Sequence, residues 1–300
     1  MWSAILSPDF FSTILRSATP ILFATLAAAV AAKAGICNMA LEGIMLFSAL
    51  FGVIFSSLTH SAWLGLLITM VIGGLIGLIL AFFILNLKTD EILAAIAINL
   101  TATGGTVLLL VAVSGDRGVS SSIRSVSAPS VVIPFIGSVL SGQNILTWFS
   151  ILAVILLHLF LYKTPLGLAI RAVGENKNAA ESVGISSRKI QYIALIISGV
   201  LAAMGGFYLS GGYMNMFTKD MAGGRGFIAL AAASMGGNTP IGGFLVSLLF
   251  GIAQAVANVM QLTSVMPYEI ILMVPYLTTL VGLGVYYYGQ KKKKERLSGK

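Results

Sequence analysis

Charged residues divide this chain into long uncharged stretches. Residues 17–32 carry no charge between Arg16 and Lys33, and residues 43–87 carry none between Glu42 and Lys88. A helix that crosses a bilayer needs roughly 20 apolar residues. The second run is too long for one helix and predicts two, with the polar segment 56–61, SSLTHS, as the break between them. Residues 92–115 form the next run, followed by a polar, Ser- and Pro-bearing stretch from Ser114 to Asn144. Further apolar segments lie near 145–162, 190–210, 227–236, 241–260 and 269–288. The 227–236 piece is too short to cross without help and reads as a short or broken helix buried among others. The pattern predicts an all-α polytopic membrane protein of about 8–10 transmembrane helices. It forms one bundle per subunit, as a single domain over residues 1–300.

Composition agrees. The chain is 57% hydrophobic and 9% charged, with a mean hydropathy of +0.97. A soluble domain needs far more charge to cover its surface. The net charge of +8 invites a nucleic-acid reading. No basic face interleaved with aromatics lies outside the apolar spans, so the expectation is no nucleic acid, and the excess charge suits cytoplasmic loops and membrane lipids. With one cysteine, Cys37, no intrachain disulfide is possible. His60 and His158 are far apart and lack acidic neighbours, so neither a metal nor a cofactor is expected. No cleavable leader is evident, because the first apolar run merges into more membrane sequence.

Lys and Arg set the expected orientation. Placing Lys33, Lys88, the 163–189 loop and the C-terminus on one side collects thirteen of the eighteen basic residues there. Arg16, Arg117, Arg124, Lys219 and Arg225 remain on the other. The richer side is the expected cytoplasm, with the basic tail 290–300 as a stop-transfer flank. If 227–236 counts as a crossing, the number of crossings is odd and the N-terminus lies outside. Gly73, Gly74 and Gly77, and the pairs Gly236–Gly237 and Gly242–Gly243, predict close helix approach, since in lipid small residues rather than hydrophobic drive bring helices together. Trp63, Trp148 and the tyrosines at 286–288 suit interface anchors.

The 163–191 segment carries a dense share of the charge and also reads as structured. Asn176 can cap a short helix over 177–183, and Gly184 suits its left-handed stop. Ser186 or Ser187 can cap the next span. Ala179, Ala180 and Val183 would give the short helix a small apolar face. Arg188 and Lys189 open the next helix, where the dipole disfavours cations by about 0.3–1 kcal/mol.

Residues 171–185, RAVGENKNAAESVGI, resemble the cytoplasmic signature loop of ATP-binding cassette importer permeases for branched-chain amino acids, simple sugars and nucleosides. Two further segments agree. ATPIL at 18–22 with KAGICNMALEGIML at 33–46 resembles the first signature of the nucleoside-type branch, and GRGFIALAA at 224–232 with MGGNTPIGG at 235–243 its late one. Lys33 stands where the family commonly has Arg, and Cys37 where an aliphatic residue is usual. The resemblance implies that Arg171, Gly174, Glu175, Asn176, Ala179, Ala180 and Gly184 form a coupling helix that docks on an ATP-binding cassette subunit. It also implies a second permease subunit, as a heterodimer partner, an extracytoplasmic solute-binding lipoprotein, and a place in the bacterial inner membrane with the C-terminus cytoplasmic. The expected cargo is a small polar solute, nucleosides foremost, with simple sugars or branched-chain amino acids as alternatives.

Polar residues inside spans are the candidate translocation path. Asn38 and Glu42, four apart, would share a helix face. A carboxylate within a span costs about 2.5–3.5 kcal/mol and should face the bundle interior or water. Glu42 therefore lines the path, or it binds Lys33, Asn38 or a backbone group as packing glue. Asn99, with Thr101 and Thr103 nearby, and the Gln254–Asn258 stripe are open to the same two readings. Asp90 and Glu91 suit a helix start, or contact with the cassette.

An ion-driven transporter would want a relay of intramembrane acids, for which Glu42 alone is thin support. A membrane enzyme would need clustered nucleophile, acid and base, which two isolated histidines and one cysteine do not supply. No G-x-x-x-x-G-K-[ST] motif appears, so ATP chemistry is expected on a separate subunit.

Overall fold

The computed structural model describes residues 8–120, 122–126, 128–131 and 142–263, with positions 273, 277–282, 284 and 288 beyond them. The tail 290–300, Tyr286, Tyr287 and most of the 269–288 segment lie outside the described residues. Among those described, seven helices are long and apolar enough to cross a membrane. With shorter helices between them and, among the described residues, only a two-residue ladder of strand, the chain is an all-α polytopic membrane protein.

Helix α1, Pro8–Lys33, begins well before Arg16 and runs 26 residues. At 1.5 Å per residue that is about 39 Å, longer than the hydrocarbon core, so its first turns, with Asp9, reach the interface. The long run splits at the polar break. α2, Leu41–Thr59, stops where His60 turns left-handed at φ 49°, and Ser61 opens α3, Ala62–Leu85, by accepting a hydrogen bond from the Leu64 N–H. Asp90 caps α4, Glu91–Ser114, accepting from the N–H groups of Ile92 (2.9 Å) and Leu93 (3.1 Å). β1, Ser130–Val131, pairs with β2, Gln143–Asn144, at the rim. Asn144 then caps α5, Ile145–Lys163.

The following loop holds one helix more than its sequence suggested. Thr164 ends α5 and caps α6, Pro165–Glu175, with Pro165 in the first turn, where its missing N–H is harmless. α7, Lys177–Ser182, is the expected short helix. α8, Ser187–Phe207, continues as a π-helical turn over Tyr208–Tyr213. The predicted short piece is α9, Arg225–Met235, followed by α10, Pro240–Thr263.

α1, α2 and α8 form the buried centre, and α4 is the least covered span. Small residues set the spacing. A Cβ on Gly73 would meet the Gly199 carbonyl, and one on Gly77 the Leu195 carbonyl, so α3 and α8 touch backbone to backbone. Gly236 and Gly242 meet in the same way across the turn between α9 and α10.

Contacts define the two ends of the bundle. At one end the Cys37 N–H donates to Glu91 at 2.9 Å, Arg188 donates to Asn86, and Gly174 lies against Lys33. This basic end therefore gathers Lys33, Lys88 and the 163–189 loop, as the charge pattern predicted. At the other end Ser120 donates to the Phe217 carbonyl and Ser125 to that of Asn215. Residues 214–224 run inward from that second end as irregular backbone, and α9 completes the passage to the basic end. Arg225, assigned to the outer side by charge counting, instead starts α9 within the bundle.

Candidate functional site

Two regions carry most of the residues singled out above: the loop at the basic end and a polar node inside the bundle.

In the loop, the Arg171 Nε–H donates to the Leu161 carbonyl at 3.0 Å, and the guanidinium lies 4.5 Å from the centre of the Tyr162 ring. Arg171 thus clamps α6 onto the end of α5 by a hydrogen bond and a cation–π contact. A Cβ on Gly174 would enter the Lys33 carbonyl and lie 3.0 Å from the Gly35 nitrogen. Gly35 itself takes φ +78°, so two glycines let the end of α6 rest on the turn that ends α1. Glu175 is exposed and lines a polar cavity of 390 Å³ with Ala32, Lys33, Tyr162, Arg171 and Asn238. Asn176 caps α7 by accepting the Ala179 N–H at 3.0 Å.

The expected apolar face of α7 is divided. Ala180 is buried beside Val173 and Ile190, whereas Ala179 is exposed and Val183 is 75% exposed. The helix ends at Ser182, so Val183 leaves the helical register. Gly184, at φ +85°, turns the chain toward α8. Ser186 occupies the cap position without a side-chain cap bond, and the Ser187 hydroxyl donates to Glu181 instead. The outward surface of α7 is therefore Lys177, Asn178, Ala179, Glu181 and Ser182, with exposed Val183 just past its end. At the start of α8, Arg188 is held by Asn86, which also accepts the Tyr192 hydroxyl at 2.7 Å.

The polar node lies about two turns inside the basic end, judged from Asn99 at the ninth position of α4. Asn38 precedes α2 rather than sharing a helix face with Glu42. Its amide donates to Ser198 on α8 at 2.9 Å, and its carbonyl accepts the Ala40 N–H at 3.1 Å. Asn99 accepts the Gly43 N–H at 2.8 Å and donates to the Met39 carbonyl at 3.0 Å. Together they satisfy the backbone where the chain leaves the turn and begins α2. Such donors have no intrahelical partner and find no water in a bilayer.

Glu42 does the same for α9. Its Oε1 accepts the Gly224 N–H and its Oε2 the Gly226 N–H, both at 2.7 Å. Glu42 sits in the first turn of α2 and against the first turn of α9, so two helix N-termini, each with partial positive charge, converge on one carboxylate. Gly226 is required for this approach, since a Cβ there would lie 2.5 Å from the Glu42 nitrogen. Neither Lys33 nor Asn38 is the partner, and the backbone alternative is the one realised. Sequence spacing had no means of finding Gly224 and Gly226, which lie some 180 residues away. The late segment's glycines were the only trace.

Gln254 and Asn258 lie elsewhere. On α10 the Gln254 amide donates to Asn258 at 3.3 Å, and Gly251 of the same helix meets Ile14 and Ala18 of α1, toward the other end. Asn38, Glu42 and Asn99 are thus brought together and the α10 pair is not. The Thr101 and Thr103 hydroxyls donate to carbonyls of their own helix. At the end opposite the loop, Arg16, Asn144, Tyr208, Tyr213 and Asn215 line a polar cavity of 740 Å³.

Comparison with known proteins places this architecture. The family model described as the branched-chain amino acid transport system permease component matches residues 10–283. The guanosine ABC transporter permease protein NupQ of Bacillus subtilis is 32% identical over 282 residues, covering 89% of this chain and 88% of the relative. The nucleoside ABC transporter permease protein NupC of Lactococcus lactis is 32% identical over 288 residues, covering 92% and 91%. Among solved structures, PsaBC from Streptococcus pneumoniae in complex with Fab aligns with a TM-score of 0.54 over 93% of each chain, at 14% identity, which speaks to the fold alone.

Proposed function

Because this chain belongs to the branched-chain amino acid transport system permease family, we propose that it is the membrane-spanning subunit of an importer that carries nucleosides inward, driven by ATP hydrolysis on a separate cassette subunit. The observation that carries the reading is whole-length similarity to two permeases named for guanosine and nucleoside transport. The basic end is the cytoplasmic face, because Lys and Arg accumulate there. The C-terminal tail belongs on the same side.

The geometry suits that role. α6 and α7 form a capped knuckle at the basic end, which offers exposed Ala179 and, just past α7, Val183, ringed by Lys177, Asn178 and Glu181, to a cassette subunit. Arg171 and Gly174 act behind that surface, seating the knuckle on α5 and α1. Alternating access follows if the knuckle moves with the cassette, so that the bundle opens in turn to each side. The 740 Å³ polar cavity at the opposite end is the entry that a solute-binding lipoprotein would load. The thinly covered α4 leaves apolar surface for a second permease subunit and lipid.

The test is uptake of radiolabelled guanosine, uridine, glucose and leucine into proteoliposomes holding the complete transporter. ATP-dependent nucleoside uptake supports the reading. ATP-dependent uptake of glucose or leucine instead moves the chain to another branch of the family. Uptake that survives without ATP and collapses with an uncoupler would sink the cassette-driven mechanism.

A further inference from the structure

The loop at the basic end and the polar node are joined by a short run of close contacts. Gly174, the penultimate residue of α6, lies against the Lys33 carbonyl and Gly35. Residues 34–40 lead from there into the bundle. This turn is fixed along its length: Gln191 donates to the Ala34 carbonyl at 3.2 Å, the Cys37 N–H donates to Glu91, and Asn38 donates to Ser198. It ends at Leu41, one residue before Glu42. The Glu42 carboxylate then holds Gly224 and Gly226 at the inner end of α9. The other end of α9 returns to the basic end, where Asn238 lines the same cavity as Lys33, Gly174 and Glu175.

We infer that Glu42 is a positioning residue of the transport cycle, a latch through which α2 and the turn 33–40 carry displacement of α6 to the half-helix α9. The inference rests on the cassette-driven reading above. Its physical basis is the bond pair. Parting α9 from α2 would strip two buried backbone donors and a carboxylate of the bonds they make to each other, so the two helices move together. There is also no slack, because the Gly226 backbone abuts the Glu42 backbone. A half-helix with a broken backbone before it is the element of the bundle that can tilt without bending a continuous span. Arg225, at its first position, closes that break by donating to the carbonyls of Met221 (3.0 Å) and Ala222 (3.1 Å).

The test measures solute moved per ATP hydrolysed, in proteoliposomes holding the complete transporter, with assembly quantified by co-purification of the cassette subunit. Glu42→Gln keeps one acceptor and turns an NH₂ toward a backbone N–H, so one bond is lost and two donors face each other. The expected result is at least a fivefold fall in the ratio. A latch that only holds the fold would lower the amount of transporter, reducing uptake and ATP hydrolysis in proportion, so an unchanged ratio overturns the inference. Gly226→Ala is the second variant, pushing α9 from α2 with the carboxylate intact, and the same fall is expected. Failure of both variants to assemble assigns Glu42 to folding alone and also overturns the inference. If the unaltered protein shows no ATP-dependent uptake, it is the cassette-driven reading that fails, a result distinct from these.

Discussion

Gly199 of α8 and Gly73 of α3 lie face to face, so close that a Cβ on either would enter the other's carbonyl oxygen. No hydrophobic drive joins helices in lipid, and this contact works through close packing between two backbones. Gly199→Ala therefore overpacks the centre of the bundle. The expected loss is about 1–3 kcal/mol, read as a lower thermal midpoint of the detergent-solubilised protein. Gly104→Ala, where a Cβ inside α4 meets nothing within 4 Å, is the matched control and should hold the midpoint or raise it slightly.

Gly174→Ala puts a methyl group into the Lys33 carbonyl and forces α6 off the end of α1. The expected outcome is at least a tenfold fall in ATP-dependent uptake. The spans themselves are untouched, so purified yield should change far less. Uptake assays alongside quantitative immunoblotting check it.

Arg171→Lys keeps the charge but loses the Nε bond to Leu161 and the planar face over Tyr162, so at this stacked site the exchange is not conservative. The contact to Tyr162 alone is worth about 0.5–1 kcal/mol at an exposed site. The α5–α6 hairpin should loosen, seen as several-fold faster limited proteolysis within residues 164–176 in inside-out vesicles.

Cys37 is exposed in the turn before α2 and is the chain's only thiol. Partial burial raises its pKa, and the neighbouring Glu91 carboxylate raises it further. The thiolate is the reactive form, so maleimide labelling should be slower than for a free thiol near neutral pH. It should keep climbing beyond the pH at which an ordinary thiol levels off. An impermeant maleimide should label inside-out vesicles and spare right-side-out ones. The reverse pattern would invert the proposed topology.

Much of this architecture is present in the linear pattern. Uncharged runs bounded by Lys88, Glu91 and Lys163 mark spans because a bilayer tolerates few charges. The 56–61 break, the Asn176 cap and the Gly184 stop are local devices that depend only on neighbouring residues, and each is found in the structure. α6 was not apparent because its amphipathic stripe of Gly167, Ile170 and Val173 sits inside a charged loop that reads as solvated. Val183 was assigned to a helical face that ends one residue short of it.

The sequence by itself determined that the chain crosses the membrane repeatedly, where its spans turn, and that a structured basic loop lies at one end. Those properties follow from hydropathy and from interactions a few residues long. Only the tertiary structure decided what the buried polar residues do. Asn38, Glu42 and Asn99 come together because α2 and α9 both begin inside the bundle, where free backbone N–H groups have no water to bind. The carboxylate that composition marked as costly is held by Gly224 and Gly226, partners brought to it by the fold, and no spacing along the chain encodes that pairing.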